Sequence, residues 1–257
     1  MAQVKSFFSR YFFSIAVIGL YLFLYIPLFV LIFFSFNDSQ SSFHFGGFSL
    51  RWYRELFAST EIWEALLNSL IVAVSAVTLS ITMGMLLIFY SPNNRFFNKL
   101  FLMFYGNLAI PEIVIAVGML SFFSYLSVPL GLTTLIAGHT ILGLGYVVPI
   151  LHSRYSELSG KYTEASLDLG ATRGQTLLKI IMPLLSPALL ASALIVFIIS
   201  LDDFVISFFC SGAASQTLPI YIFSMIRVGA SPVVSALSTL LLLASSVLVI
   251  AYSSLQF

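Results

Sequence analysis

Three acidic side chains, Glu112, Asp202 and Asp203, stand within stretches that are otherwise apolar. An ionisable group is costly in such surroundings and usually faces a cavity or a pathway. Aromatic residues accompany them: Tyr105 precedes Glu112 by seven residues, which predicts the same face of one helix, and Phe204 follows the aspartates directly. Carboxylates beside aromatic rings bind organic ammonium groups through charge pairing and cation–π contact. These residue types therefore predict a site or pathway for a cation.

Glu112 follows Pro111 inside an apolar run that begins near Leu100. At about 1.5 Å per residue of helix, this position would be roughly 18 Å deep, near the middle of a bilayer. The proline leaves a backbone carbonyl without its helical partner. A carboxylate and a free acceptor at one depth favour a cation site. A structural glutamate, protonated or paired with another helix, is the alternative.

Asp202 and Asp203 follow Leu184 by 18 and 19 residues, which predicts a position near the external end of another run. Adjacent side chains on a helix point about 100° apart. We therefore expect at most one aspartate to face a given pathway, while the other meets a partner helix or water.

The elements that must hold these groups are membrane spans. The 257 residues are 60% hydrophobic and only 8% charged, with mean hydropathy +1.05, which excludes a soluble globule and a disordered chain. A helix needs about 20 apolar residues to cross the hydrocarbon core. Six such runs lie at roughly 11–36, 65–90, 100–126, 132–151, 184–206 and 233–254. The sequence predicts an all-α membrane protein, with a single six-helix domain over residues 1–257.

Basic residues are unequally distributed between the runs. With a cytoplasmic N-terminus, eight lysines and arginines lie in inside segments and three in outside segments. Because cytoplasmic loops carry the excess of positive charge, we expect both termini inside. Two connections are then long: an external one at 37–64, with a short interfacial helix around 50–57, and a cytoplasmic one at 152–182.

The long cytoplasmic connection has the pattern of a helix, a break and a second helix. Glu164 and Asp168 stand at i and i+4 on one face of an amphipathic surface helix. Gly170 then permits a left-handed or tight backbone. Thr172 and Gln175 fit the S/T-x-x-E/Q capping box that opens a new helix. An ordinary amphipathic loop on the lipid headgroups is the alternative.

The same connection matches the spacing EAA-x3-G-x9-I-x-L-P at Glu164-Ala165-Ser166, Gly170, Ile180, Met182 and Pro183. In this the chain resembles the permeases of bacterial ABC importers, with Ser166 for the third-position alanine and Met182 for leucine. The resemblance implies the type I importer permease fold, in which a coupling helix, here 164–172, sits in a groove of a separate ATPase. The residues that it implicates in ATPase coupling are Glu164, Ala165, Ser166, Asp168, Leu169, Gly170, Ala171 and Thr172.

Further motifs extend over almost the whole chain. They are Tyr25-Ile26-Pro27, Trp52-Tyr53, Pro111-Glu112-Ile113-Val114, Asp202-Asp203, Leu218-Pro219 with Tyr221, Ser224-Met225-Ile226 and Val228-Gly229-Ala230-Ser231-Pro232. These stretches are similar to the C-type permease subunit of spermidine/putrescine importers, which implies polyamine import. Glu112, Asp202, Asp203 and Tyr105 are then the candidate pathway residues. The family more often has aspartate where Glu112 stands, which keeps the charge but lengthens the reach.

No G-x-x-x-x-G-K-[ST] phosphate loop occurs in the chain, so ATP and magnesium are expected in a partner ATPase. We expect no catalytic residue, bound metal or cofactor in this chain. The resemblance implies an ATP-binding cassette dimer, a second permease (a related B-type chain or a copy of this one) and an external substrate-binding protein. It also implies the inner membrane of a bacterium and no nucleic acid.

Other functions stay open at this point. The substrate of the importer could be a metal complex, thiamine or an amino-acid-derived cation, whereas an anion importer should show basic residues in its spans. A self-sufficient transporter or channel predicts inverted repeats and discontinuous helices, neither of which the sequence indicates. An intramembrane enzyme needs a clustered nucleophile, base or metal site, but His139 and Cys210 look isolated and structural.

Overall fold

The computed structural model describes residues 2–40, 44–90, 95–107, 109–229 and 232–255. These residues are helical apart from turns, loops and one isolated antiparallel bridge between Asn37 and Phe48. In lipid every backbone N–H and C=O group needs a partner within the protein, and a helix supplies it locally. The prediction of an all-α protein is confirmed.

The helices are α1 (Ala2–Phe34), α2 (Arg51–Ala58), α3 (Thr60–Tyr90), α4 (Arg95–Asn107), α5 (Glu112–Tyr125), α6 (Leu132–Asp168), α7 (Arg173–Thr176), α8 (Met182–Asp202), α9 (Val205–Cys210), α10 (Leu218–Val228) and α11 (Pro232–Leu255). A π-helical turn, Leu177–Ile181, joins α7 to α8. Four described stretches are long and apolar enough to cross a membrane: Phe12–Phe34, Thr60–Tyr90, Leu132–Leu158 and Arg173–Asp202. Shorter apolar helices are Glu112–Tyr125, Leu218–Val228 and Pro232–Val247.

The chain divides into two compact units, one formed by Met1–Thr60 with Ile222–Phe257 and the other by Glu61–Tyr221. In the first unit α11 packs against α1 and α2. A helix is present where we expected one, around 50–57, as α2, and its Trp52 is buried; its interfacial position stays a prediction. Residues 12–30 of α1 are exposed throughout, as suits a surface that meets lipid or another membrane subunit. The single permease domain over 1–257 stays a prediction.

In the second unit α6 is central, since α4, α8 and α9 all pack against it. Two glycines of α6 allow close approach of its neighbours. A Cβ atom on Gly138 would lie 2.7 Å from Ile206 Cγ2 of α9, and one on Gly143 would lie 2.9 Å from Val196 Cγ1 of α8. A larger residue at either position would have to push the helices apart, because protein interiors are close-packed. α6 is therefore fixed tightly against both elements.

The predicted span 100–126 is interrupted. It consists of α4 and α5, separated by a turn that ends at Pro111. A proline has no N–H to donate and disfavours helical backbone at the residue before it. We expected Tyr105 and Glu112 on one face of a continuous helix, and this expectation is wrong because they belong to different helices.

The predicted span 184–206 is interrupted as well. α8 ends at Asp202, Asp203 has an extended backbone with φ −66° and ψ 121°, and α9 begins at Val205. The described part of the chain thus contains two discontinuous apolar helices. Our expectation that discontinuous helices are absent is wrong.

The π-helical turn precedes Pro183. Within it the N–H of Met182 donates to the carbonyl of Leu177, five residues back. In a regular α-helix the proline ring would clash with the carbonyl four residues before it. The wider turn relieves that conflict, and turns of this kind are frequent at functional sites.

Candidate functional site

Glu112 and Asp203 meet at the two helix interruptions. Glu112 is the first residue of α5, and Asp203 lies between α8 and α9. α5 packs against α9, and the two carboxyl groups lie within hydrogen-bonding distance of each other. The side chain of Asp203 is 1% exposed, whereas Glu112 is only partly buried. Two carboxylates in contact within apolar surroundings need a proton or a cation between them. The pair can therefore receive a cationic group from the side on which Glu112 is open.

The carboxylate of Asp203 is held by the first turn of α9. Its Oδ1 atom accepts a hydrogen bond from the N–H of Ile206 at 3.2 Å, and Oδ2 accepts one from the N–H of Ser207 at 2.8 Å. The free N–H groups at a helix N-terminus favour a negative charge at this position. Asp203 thus stabilises the interruption that places it beside Glu112.

His139, from α6, lies behind Asp203 and is fully buried. Its Nε2 atom is 3.4 Å from Asp203 Oδ2 and 3.2 Å from Ser207 Oγ. Its Nδ1 atom is hydrogen-bonded to Ser200 Oγ at 2.8 Å. A carboxylate without a proton only accepts hydrogen bonds, so the tautomer with its proton on Nε2 fits these neighbours and lets the Ser200 hydroxyl donate to Nδ1. The expectation that His139 is isolated is wrong.

A sequence signal for this cluster exists. Ser200, Asp203 and Ser207 are polar residues at i, i+3 and i+7 in an apolar stretch, which is the spacing of one helical face. The pattern marks a buried polar face, but it does not identify the residue opposite. His139 is 61 residues before Ser200 in the chain, so their contact depends on the tertiary fold.

Asp202 and Tyr105 are placed differently. Asp202 is exposed, so the two neighbouring aspartates diverge as expected, and Asp203 is the one that contacts Glu112. Tyr105 is 42% exposed on α4. The assignment of Asp202 and Tyr105 to a substrate pathway stays a prediction.

At the C-terminal end of α6 the chain turns at Gly170, which has a φ of +85°. The N–H of Gly170 donates to the carbonyl of Leu167 at 2.9 Å, and the N–H of Ala171 donates to the carbonyl of Ser166 at 3.0 Å. These two bonds form the Schellman motif, which needs a left-handed residue and favours glycine there. The helix break predicted at Gly170 is confirmed. The helix expected over 164–172 is shorter, because α6 ends at Asp168.

A second helix begins directly after this turn. The Thr172 side chain accepts from the N–H of Gln175 at 3.3 Å, and the Gln175 side chain accepts from the N–H of Thr172 at 2.9 Å. This is the reciprocal capping box expected from the sequence. The connection that we predicted to be cytoplasmic is therefore a folded element at this turn.

Ser166 and Thr176 join the two sides of the turn. Both residues are buried, and their hydroxyl groups are hydrogen-bonded to each other. The Thr176 hydroxyl also lies 3.1 Å from the Thr172 carbonyl, as a donor. Ser166 was expected only as a replacement for alanine at this position of the motif, so its hydrogen bond with Thr176 was not predicted.

The outer surface of the turn is available to a partner. Leu169 is 89% exposed, and Glu164, Ala165 and Asp168 are exposed on the last turns of α6. An apolar side chain held out from a rigid turn and flanked by carboxylates is suited to a pocket on another protein. We name the segment 164–176 the coupling element.

An ordered loop precedes α2 in the first unit. The Asn37 side chain donates to the carbonyl of His44 at 2.7 Å and accepts from the N–H groups of Ser39 and Gly46 at 3.2 and 2.8 Å. The indole N–H of Trp52 donates to the carbonyl of Asn37. These bonds fix the described part of this predicted external segment.

Comparison with known proteins places these features in context. Residues 76–256 match a family described as "Binding-protein-dependent transport system inner membrane component". The chain is 38% identical to the spermidine/putrescine transport system permease protein PotC of Escherichia coli (strain K12), over 91% of this chain and 89% of PotC. It is 33% identical to the putrescine transport system permease protein PotI of the same strain, over 86% and 82% of the two chains.

The fold also has a counterpart among solved structures. A chain from the crystal structure of a bacterial ABC transporter involved in the import of the acidic polysaccharide alginate superimposes with a TM-score of 0.68. The alignment covers 96% of each chain at 16% sequence identity, so the likeness is one of fold. Both the carboxylate pair and the coupling element lie within residues 76–256.

Proposed function

The chain belongs to the binding-protein-dependent transport system inner membrane components, and we propose that it is the permease subunit through which an ATP-driven importer takes up polyamines. Family membership makes it a multi-pass, all-α inner-membrane permease with the type I importer fold. The substrate, the partners and the direction of the termini belong to the proposal.

The contact between Glu112 and Asp203 carries the substrate assignment. An ammonium group that enters on the open side of Glu112 would supply the positive charge that two adjacent carboxylates need. The exposed carboxylate of Asp202 is available to a further ammonium group of the same molecule. No predicted span contains a lysine or arginine in its core, which disfavours an anionic substrate. Transport of spermidine or putrescine by the relatives PotC and PotI supports the same class of cation.

The coupling element is the basis of the proposed mechanism, in which a partner ATPase drives transport. We assign Leu169, Asp168 and Glu164 to a groove of a partner ATPase, which binds ATP and magnesium and performs the hydrolysis. This chain then catalyses no reaction itself. A second permease, either a B-type chain or a copy of this one, would complete the pathway. Both termini would face the cytoplasm.

In the proposed cycle an external binding protein delivers the polyamine to segments that include 37–64 and 207–231. ATP closes the ATPase dimer, the coupling elements move with it, and the pathway opens outward to receive the cation. Hydrolysis then returns the pathway to its inward-facing state. The carboxylate pair gives partial and transient neutralisation, because very tight binding would prevent release.

The test is reconstitution in liposomes. The chain is co-expressed with its ATPase, permease and binding-protein partners, and ATP-dependent uptake of labelled spermidine and putrescine is measured. We expect uptake that requires both ATP and the binding protein. ATPase activity that couples to another small cation or to a metal complex, with no polyamine uptake, would overturn the substrate while leaving the importer assignment in place.

The interrupted helices favour a second candidate, since discontinuous spans that meet near a binding site are typical of secondary transporters. The same liposomes distinguish the two functions. Uptake by this chain alone, driven by an ion gradient and independent of ATP, would replace the importer assignment.

A further inference from the structure

We propose that His139 is a positioning residue: it holds Asp203 against Glu112 and, through α6, ties the geometry of this carboxylate pair to the coupling element. The inference rests on the proposed function. His139 contacts neither the solvent nor the open side of Glu112, so it acts on a substrate only through Asp203.

The first step is the immobility of the His139 ring. Both ring nitrogens have partners, Nδ1 with Ser200 and Nε2 with Ser207 and Asp203. A buried imidazole with both nitrogens satisfied has no free rotation, because any turn leaves a polar atom without a partner. The ring therefore fixes the position of whatever it contacts.

The second step is the identity of its partners. Ser200 belongs to the last turns of α8, Ser207 belongs to α9, and Asp203 lies in the interruption between them. One side chain of α6 thus spans the break in the neighbouring helix. Without it, Asp203 would keep its two bonds to the N–H groups of α9, but the angle between α8 and α9 would lose a side-chain constraint.

The third step is the continuity of α6. This helix runs from Leu132 to Asp168, with Pro149 inside it, so His139 and the first arm of the coupling element share one helix. Asp168 is 29 residues after His139, which corresponds to about 44 Å along a straight helix. A displacement of the coupling element by its partner therefore reaches His139 through a single helix.

The fourth step is the packing beside His139. Gly138 is in close contact with Ile206 of α9, and Gly143 is in close contact with Val196 of α8. At these two points α6 has no room to slide past its neighbours without a change in packing. When α6 moves, Asp203 either moves with it or loses its 3.4 Å contact with His139. In both cases the Glu112–Asp203 pair changes its geometry in step with the ATPase.

The experiment uses the reconstituted complex with two replacements at His139. His139→Leu keeps much of the volume and removes both hydrogen-bonding atoms, whereas His139→Gln retains a donor and an acceptor. The matched control is Thr140→Val, the next residue on α6, whose buried hydroxyl donates only to the Ile136 carbonyl of its own helix. The KM and kcat of polyamine uptake and the number of ATP molecules hydrolysed per polyamine are measured for each variant.

For His139→Leu we expect a rise in KM of about tenfold, because the Asp203 carboxylate loses its polar contact with α6, and a rise in ATP hydrolysed per polyamine. His139→Gln should recover part of both losses, and Thr140→Val should change neither. A role limited to folding would lower the amount of assembled complex without changing KM or the ATP ratio. Unchanged KM and ratio in assembled His139→Leu would overturn the positioning role.

A double-mutant cycle keeps the proposal testable if His139→Leu does not assemble. His139→Gln is combined with Asp203→Asn, and the effect on KM should be far from additive, because both changes remove the same contact. Additive effects would overturn the inference. A wild-type complex that takes up no polyamine would overturn the substrate assignment. This failure is distinguished from a failure of the His139 inference because it is observed in the wild-type complex, without any variant.

Discussion

The hydroxyl groups of Ser166 and Thr176 are hydrogen-bonded to each other across the turn at Gly170. The bond joins the last turns of α6 to α7, so the two arms of the coupling element are tied by side chains as well as by the backbone. Rigidity of this kind is what a segment needs if it is to pass on a displacement without absorbing it.

Ser166→Ala should weaken this tie only modestly. The Thr176 hydroxyl keeps its bond to the Thr172 carbonyl, so no buried donor is left without a partner. We expect a loss of about 1 kcal/mol in stability and nearly normal uptake. Ser166→Leu, in contrast, places a large group at a buried position and should reduce coupled uptake strongly. Thermal unfolding measures the change in stability, and ATP-dependent uptake measures the change in coupling. Equal losses in Ser166→Ala and Ser166→Leu would contradict a buried position for this side chain.

Gly170→Ala tests the left-handed backbone at the turn. An added Cβ atom meets nothing within 4 Å, so the only cost is that of a positive φ in a residue with a side chain, about 1–2 kcal/mol. We expect normal membrane insertion but reduced uptake per ATP hydrolysed.

Gly174→Ala is the matched control for that change. Gly174 also has open space around its Cβ position, but it lies in α7 and its φ is not positive. Alanine should be neutral or slightly stabilising there, since glycine is the weaker helix former. If both variants reduced coupling equally, backbone conformation at Gly170 would not be the cause.

Leu169→Ser tests the surface of the coupling element. Leu169 is 89% exposed and so contributes little to packing among the described residues, which means that its loss should leave folding intact. If it anchors the partner ATPase, the change should lower the amount of ATPase that co-purifies by about tenfold or more. Leu178→Ser is the control, because Leu178 is also exposed but lies in the π-helical turn. Full retention of the ATPase by Leu169→Ser would remove Leu169 from the interface.

Glu112→Gln tests the carboxylate pair. The amide keeps the size of the side chain but removes its charge, so a cation would meet one carboxylate in place of two. We expect KM for polyamine uptake to rise by about tenfold or more, with normal assembly. Glu112→Asp keeps the charge and should retain most of the activity. Glu55→Gln is the control, because Glu55 pairs with Arg51 on the exposed surface of α2, where an ion pair contributes little. If Glu112→Gln left transport unchanged, Glu112 would have only a structural role.

Local patterns in the sequence predicted the local structure well. The capping box at Thr172, the left-handed turn at Gly170 and the short helix α2 each depend on residues within a few positions of one another. Backbone geometry of this kind is decided by residue type and spacing, and so it can be read without knowledge of the tertiary fold.

The two helix interruptions were harder to predict, because an apolar run indicates burial in lipid but does not show that the helix is continuous. Pro111 predicts a carbonyl without its helical partner inside one apolar run, whereas the structure has two separate helices there. At Asp203 the side chain itself replaces the helical bonds to Ile206 and Ser207. The contact with His139 joins residues far apart in the chain, which no local pattern specifies.

The π-helical turn at Leu177–Ile181 sets the rotational phase of everything after it. It holds one residue more than the α-helix would need for the same rotation, so α8 keeps its orientation only with this wider turn. Removal of one residue from the regular part of α8 before Ser200 would turn the end of this helix by about 100° about its axis and shorten it by about 1.5 Å. Ser200 would then point away from His139, although no residue that contacts the cluster had been replaced. The number of residues between the coupling element and Asp203 therefore matters for function, independently of which residues they are. A single insertion or deletion in this segment would change the geometry of the carboxylate pair.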